Sequence, residues 1–375
     1  MRYLLGIDIG TSSGKALLLT DDGRVVAQAG HEYAIHTPRP GWAEQDPEAW
    51  WQATVSIVRA VVSQGGAQPD QVAGISFSGQ MHGTVLLDAA GRPLRPAIIW
   101  CDQRSAPQVQ RIYERIGHDG LARLTGNRVA AGFMAATLLW LEENEPETYG
   151  RTRRALLPKD YVRLRMTGEA ESEYSDASSS LLLDVRNRAW SGGMLADLGL
   201  DEKKLPRLRE SSAVTGGLTA EAAEALALAP GTPVVAGGGD QEVAALGNGV
   251  IEPGELLVTV GTCGQLLTVV DMPLTDPDLR VHTFCHVVPE RWHLQASILA
   301  AGLSLHWFRD QVMAGTDLAS YERLSDEATR VPAGSEGLLF LPYLTGERTP
   351  HFDPAARGTF CGLTLRHGRA HMVRA

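Results

Sequence analysis

The sequence predicts an α/β protein built from two related sheet domains, on three observations. The chain has 375 residues, which at roughly 150 residues per domain is two or three domains. Apolar runs of strand length alternate with stretches of helical periodicity. A hairpin in which an apolar strand enters Gly-Thr-(Ser or Cys), meets a further glycine and leaves as another apolar strand occurs twice, a faint internal duplication about 250 positions apart.

Taken in order, Tyr3 to Ile9 and Lys15 to Thr20 are apolar, Asp21-Asp22-Gly23 supplies turn residues, and Arg24 to Ala29 is a third strand. This is a three-stranded antiparallel meander. Asp46-Pro47 reads as an N-cap with proline at the first helical position, and Trp50, Ala53, Thr54, Ile57, Val58 and Val61 recur on one helical face. Val72 to Ser78 and Thr84 to Asp88 return to strand character around the turn Gly79-Gln80-Met81-His82-Gly83, which can expose side chains. Helices are expected at Phe133 to Glu143, Pro158 to Met166 and Ala220 to Leu228, and no low-complexity linker divides this region. A second β-rich region begins at Thr232, passes through Gly237-Gly238-Gly239-Asp240 and a helical stretch to Leu246, and ends in the hairpin from Glu255 to Val270 around Gly261-Thr262-Cys263-Gly264.

Hydrophobic residues at 44% and charged residues at 21% supply a full core for each domain and exclude disorder as the main state. A formal net charge of −10 argues against nucleic acid and anionic lipid as partners. The four cysteines, Cys101, Cys263, Cys285 and Cys361, form no C-x-x-C pair, so neither a disulfide framework nor a zinc site is expected. The N-terminal apolar run is too short and polar for a signal core, and no stretch of eighteen apolar residues follows. The chain therefore reads as soluble and cytoplasmic.

Small, hydroxyl-rich turns let backbone N–H groups converge on an anion, which makes Gly10 to Gly14, with Thr11 and Ser12, and Gly261 to Gly264, with Thr262, candidate phosphate cradles. A tight hairpin also needs glycine for steric reasons alone. A Walker site is rejected, because Gly10 to Gly14 has one residue too few between its glycines and Ala16 stands where Ser or Thr would hold the metal. Asp8 ends an apolar strand, where a carboxylate is either near a cation such as magnesium or capping the turn's own N–H groups. Asp240 follows three glycines at a strand-to-helix junction, a place for a general base or for an N-cap. His82, beside Met81, could hydrogen-bond a polyol hydroxyl or be a plain loop residue. Trp100-Cys101-Asp102-Gln103-Arg104 offers an aromatic platform with a carboxylate and a guanidinium, suited to a sugar or to a helix start with a solvated charge pair. Arg151-Thr152-Arg153-Arg154 is most simply a solvated face.

These segments carry a resemblance. IDIGTSSGKALLLTDDG, GWAEQDPEAWW, SGQMHG, WCDQR, LLPKDYVRLRMTGE, VVAGGGDQ, VTVGTCG and FLPYLTGERTPHFDP occur in order, and together the chain resembles the FGGY family of carbohydrate kinases over nearly its whole length. The resemblance implies an actin-like, ribonuclease H-like ATPase fold, two similar domains around a cleft, with a sugar-binding domain at 1–247 and a nucleotide-binding domain at 248–375. It implies ATP and Mg2+, and phosphorylation of a terminal sugar hydroxyl, D-xylulose being the expected sugar and glycerol or gluconate the alternatives. Residue by residue it makes Asp240 the general base, puts Asp8 with Asp240 at the metal and phosphates, and sets Met81, His82, Asp240, Gln241, Trp100, Asp102 and Arg104 against the sugar. Gly10, Thr11, Ser12, Gly261 and Thr262 would hold phosphates. Gln241, Cys101 and Cys263 depart from the residues usual in the D-xylulose members, and Asp240-Gln241 is similar to the glycerol version of the site.

The resemblance also leads to the expectation of roughly 100 further residues beyond Ala375. The second domain is then incomplete, its sheet exposes an apolar face that a partner or second copy would cover, and the chain binds sugar better than ATP with weak turnover. A non-catalytic sugar- or nucleotide-binding protein is the reading from a different class, and an actin- or chaperone-like ATPase would need neither QMHG nor WCDQR.

Overall fold

The opening meander sets the centre of the fold. In a computed structural model that describes residues 2–316, 320–353 and 355–375, β1 (Tyr3–Ile9), β2 (Ser13–Thr20) and β3 (Val25–Glu32) pair antiparallel in succession, with Asp8 opposite Lys15 and Ile9 opposite Gly14. The helix that follows, α1 (Pro47–Gly65), starts where Asp46 Oδ1 accepts the Glu48 N–H at 2.9 Å and ends at Gly66 in the left-handed region. Proline at its first position costs no helical hydrogen bond there. Its face of Trp50, Ile57, Val58 and Val61 is buried against Leu5, Ile7, Leu18 and Phe77, and removing one of these large side chains would cost about 2–5 kcal/mol.

Next come β4 (Val72–Gly79), α2 (Met134–Asn144), α3 (Pro158–Thr167) and the short α4 (Tyr174–Ser178). They are followed by β5 (Val214–Gly217), α5 (Ala220–Leu226), β6 (Pro233–Val235), the two-residue β7 (Gly238–Gly239) and α6 (Asp240–Gly247). The principal sheet runs β5-β6-β4-β1-β2-β3, and β7 also pairs with β4. The pairings of β1, β6 and β7 with β4 are all parallel. Period-two alternation sends Tyr3, Leu5, Ile7 and Ile9 of β1 into the helix-covered core, while Leu4 and Asp8 take the other face. On that face Asp8, Lys15, Leu17, Ser78 and Val243 border an open cleft of about 680 Å³.

The chain divides into two compact units, one of Met1–Glu255 with Val269–Leu294 and one of Leu256–Thr268 with Gln295–Ala375. It therefore crosses between units three times, and position 247 falls at the end of α6 inside the first unit. In the second unit β8 (Leu256–Val260) and β9 (Gly264–Val270) form the anticipated hairpin, Leu256 opposite Thr268 and Val260 opposite Gly264. Leu256, Val258 and Val260 are exposed along it. Segment 269–294 contributes β10 (His282–Cys285) to the first unit. No helix among the described residues is long and apolar enough to cross a membrane.

Candidate active site

Three loops leave neighbouring strand ends on the same side of the principal sheet, the position at which open α/β sheets place ligands. Asp8 lies opposite Ser78, and Ser78 opposite Gly238; Ile9 lies opposite Gly79, and Gly79 opposite Gly239. Beyond these rows the chain continues as Gly10-Thr11-Ser12, as Gln80-Met81-His82, and as Asp240-Gln241. Sheet register thus gathers residues from three distant stretches of sequence. The tight approach of the third loop requires glycine: Gly237 has φ 79°, and a Cβ there would strike the Phe77 carbonyl.

The two aspartates are held in different ways. Asp8 is half-buried, accepts the Ser78 hydroxyl at 2.9 Å and has Lys15 across the strand pair. Burial raises its pKa, opposed by the Ser78 hydrogen bond and the Lys15 charge. Asp240 is pushed up to about 7, first by burial and then by the negative charge of Asp8, with hydrogen bonding from Gln241 opposing. The Gln241 Nε2 stands 3.4 Å from its Oδ1. A carboxylate poised near neutrality suits a general base.

His82 is in the left-handed region at φ 71°, a strained backbone for a non-glycine residue. Its ring stacks on Phe133 with centroids 3.7 Å apart and planes 7° apart, and its Nδ1 meets the Ser179 carbonyl at 2.9 Å. A carbonyl can only accept, so in the neutral ring the proton is on Nδ1 and the lone pair on Nε2. Met81 is buried, with its Cγ 3.1 Å from the position of a Cβ on Gly239. Trp100 is tied to the first loop, donating its indole N–H to Thr11 Oγ1 at 2.9 Å.

The carbonyls of the first loop are occupied from outside. Gly10 O accepts the Tyr33 hydroxyl at 2.5 Å and Gln80 Nε2 at 3.2 Å, Thr11 O accepts Gln45 Nε2 at 2.7 Å, and Ser12 O accepts the Tyr33 N–H at 3.1 Å. The Gly10 N–H closes the turn on Ser13 O at 3.1 Å, so what a loop tied back in this way can offer an anion is the N–H groups of Thr11 and Ser12 rather than its oxygens. In the second unit Gly261 O accepts the Gly302 N–H at 2.8 Å, and Thr262 O accepts those of Ala301 and Leu303 at 3.0 and 3.2 Å. That loop is therefore braced on the start of α7 (Gly302–Trp307).

Asp102 and Arg104, expected against the sugar, are placed elsewhere. Asp102 is fully buried, accepts the Ala43 N–H at 2.6 Å and forks with the Arg104 guanidinium at 2.8–3.0 Å. Arg104 also pairs with Glu44 at 2.7 Å and lies 3.7 Å over the Trp42 ring. The pair ties segment 42–44 to segment 102–104, its charges committed to each other and to Glu44.

Several participants were not singled out from sequence. Ser78 and Gln80 adjoin recognised positions, but Tyr33, Gln45, Phe133, Ser175 and Ser179 reach the site only through tertiary packing. Glu242 is fully buried two residues beyond Asp240, its pKa raised well above the usual range by burial, and His293 Nε2 lies 3.3 Å from its Oε1. The serine-rich run 175–180 was the one visible signal.

Sequence and structure comparisons bear on the chain as a whole. The description "FGGY family of carbohydrate kinases, N-terminal domain" matches residues 3–247, and the C-terminal domain of the same family matches 256–375. Xylulose kinase of Escherichia coli (strain K12) is 43% identical over 371 residues, covering 99% of this chain and 75% of that protein. Gluconokinase of Bacillus subtilis (strain 168) is 32% identical over 383 aligned positions, covering 100% and 74%. The crystal structure of a xyloylose kinase from Brucella ovis superposes with a TM-score of 0.92 at 38% identity, covering 100% of this chain and 75% of that one. The chain thus spans about three quarters of the length of these relatives.

Proposed function

The chain belongs to the FGGY family of carbohydrate kinases, with their actin-like fold, and from that premise we propose that it transfers the γ-phosphoryl group of ATP to the terminal hydroxyl of D-xylulose, giving D-xylulose 5-phosphate and ADP. The observation that carries this reading is the row of strand ends that sets Asp8, the Met81-His82 turn and Asp240 side by side. Identity of 43% to a xylulose kinase supports the choice of sugar.

In this reading Asp240 orients the attacking hydroxyl and accepts its proton as the bond to phosphorus forms and the bond to the leaving ADP oxygen breaks. His82 accepts a sugar hydroxyl through Nε2, and Met81 and Trp100 pack against the carbon skeleton. The N–H groups of Thr11 and Ser12 hold phosphate oxygens, as does that of Thr262, while Gly10 and Gly261 serve by closing the turns, their own N–H groups donating to Ser13 O at 3.1 Å and Cys263 O at 3.0 Å. Positioning supplies most of the rate, because phosphoryl transfer asks for little covalent work by the protein.

The donor set fits magnesium. No group of three or more metal-ligating side chains occurs among the described residues, and magnesium is commonly bound by one or two carboxylates plus substrate phosphates. Asp8 would hold it together with Asp240, and Asp8, half-buried with one hydroxyl donor, is a carboxylate that a cation would stabilise. When bound, the ion neutralises charge developing on the transferred phosphoryl group.

ADP release measured with ATP, Mg2+ and each of D-xylulose, glycerol and gluconate tests the reading. Stimulation by D-xylulose above the others is expected. Equal or greater stimulation by glycerol or gluconate would transfer the assignment to that substrate, a reading favoured by Gln241 beside Asp240.

A further inference from the structure

The base Asp240 and the sugar ligand His82 stand on different loops, and one short element holds both. Ser175 Oγ in α4 accepts the Gly239 N–H at 3.2 Å, immediately before Asp240. Just past the end of α4, Ser179 Oγ accepts the His82 N–H at 3.2 Å and its carbonyl accepts the His82 ring at 2.9 Å. The Ser179 hydroxyl in turn donates to Asp176, 2.7 Å from the carbonyl and 3.1 Å from Oδ1. At the start of α4, Glu173 accepts the N–H groups of Ser175 and Asp176 at 2.7 and 2.8 Å.

Beneath α4 lies a buried cation. Lys159 Nζ reaches Asp160 at 2.8 Å, Glu173 at 3.2 Å and Asp176 at 3.1 Å, and all four side chains are fully buried. Burial alone would lower the Lys159 pKa, but Asp160, Asp176 and Glu173 outweigh it and raise it, so the cation is fixed. Lys159 also touches the sheet at the other end of the path, its Cβ standing 2.8 Å from where a Cβ on Gly79 would be. Desolvating buried charges opposes folding, so apolar packing would hold a helix more cheaply; directional bonds to four buried ionic groups instead confine α4 to one geometry here.

We propose that Lys159 and α4 form a positioning device that sets Asp240 and His82 at a fixed separation, with Ser175 governing the base and Ser179 governing the sugar ligand. This rests on the phosphorylation reading above. Lys159, Ser175 and Ser179 are positioning residues, since each acts through another group.

The test pairs amide hydrogen exchange on the sugar-free protein with steady-state kinetics on D-xylulose. Ser175→Ala should speed exchange at Gly239 but not at His82, and lower kcat about tenfold or more with KM within about twofold. Ser179→Ala should speed exchange at His82 but not at Gly239, and raise KM for the sugar about fivefold or more with kcat within about twofold. Lys159→Met should move both amides and both constants; if it fails to fold, the serine pair decides. Serine variants that move both amides or neither, or that change kcat and KM in equal proportion, overturn the proposal. A wild-type protein that leaves D-xylulose unphosphorylated overturns the proposed activity instead, and the exchange pattern then decides the device by itself.

Discussion

The negative charge of Asp8 is second only to burial in holding Asp240 protonated up to about pH 7. The two carboxylates are neighbours because β1 and β7 pair with the same strand, so an electrostatic coupling that adjusts the base is a direct product of sheet topology.

Asp240→Asn should keep the fold and sugar binding and lower kcat by about 10²–10⁴, the range for loss of general-base catalysis. Steady-state assay and calorimetry with D-xylulose check it. Near-native turnover would remove Asp240 from the role of base.

The same carboxyl predicts a pH dependence of stability. Its folded pKa is about 7 against 3.8 unfolded, so between these values the folded state keeps a proton that the unfolded state has lost, and stability falls as pH rises through the window. Asp240→Asn abolishes that loss. The variant should exceed the wild type in urea unfolding at pH 8 by about 1–2 kcal/mol, with a smaller difference at pH 4. Equal differences at both pH values would contradict the raised pKa.

Substrate choice should follow the His82 turn. D-xylulose is expected to exceed glycerol in kcat/KM by about 10² or more, because a site built for extra hydroxyls leaves its polar groups unpaired with the smaller polyol. His82→Ala should erase most of that preference by raising KM for D-xylulose. If Gln241→Asn erases it and His82→Ala does not, the residue after the base sets the substrate.

Arg104→Met should act on stability. It leaves Asp102 buried without its guanidinium, at a cost of about 3–5 kcal/mol in chemical denaturation. KM for the sugar in the folded fraction should stay within about twofold; a selective rise in KM with unchanged stability would return Arg104 to the sugar.

The strands, α1 and both glycine hairpins were legible because their signals are local: alternation, an Asp-Pro cap, paired glycines. The same holds for Asp8, His82 and Asp240, which sit at breaks in apolar runs. Asp102 and Arg104 were misread because a carboxylate and a guanidinium two residues apart look alike whether they face ligand or core, and their burial depends on Trp42 and Glu44, nearly sixty positions away. Ser175 and Ser179 stayed hidden for a related reason: their partners Gly239 and His82 are 64 and 97 positions distant. Segment 269–294 returns to the first unit through contacts such as those of Asn127 with both backbone groups of Thr283, which no local pattern announces.

The alternation of β1 makes the site a matter of counting. Asp8 faces the open cleft because an odd number of positions separates it from Tyr3, Leu5 and Ile7 on the opposite face. The strand could exchange many of its apolar residues for others and still deliver the carboxylate. Deleting a single residue ahead of Asp8 would turn that carboxylate into the layer of Trp50 and Ile57 while every motif downstream stayed intact. Variation in this lineage should therefore accumulate as exchanges within the strands, with gains and losses of length confined to the turns between them.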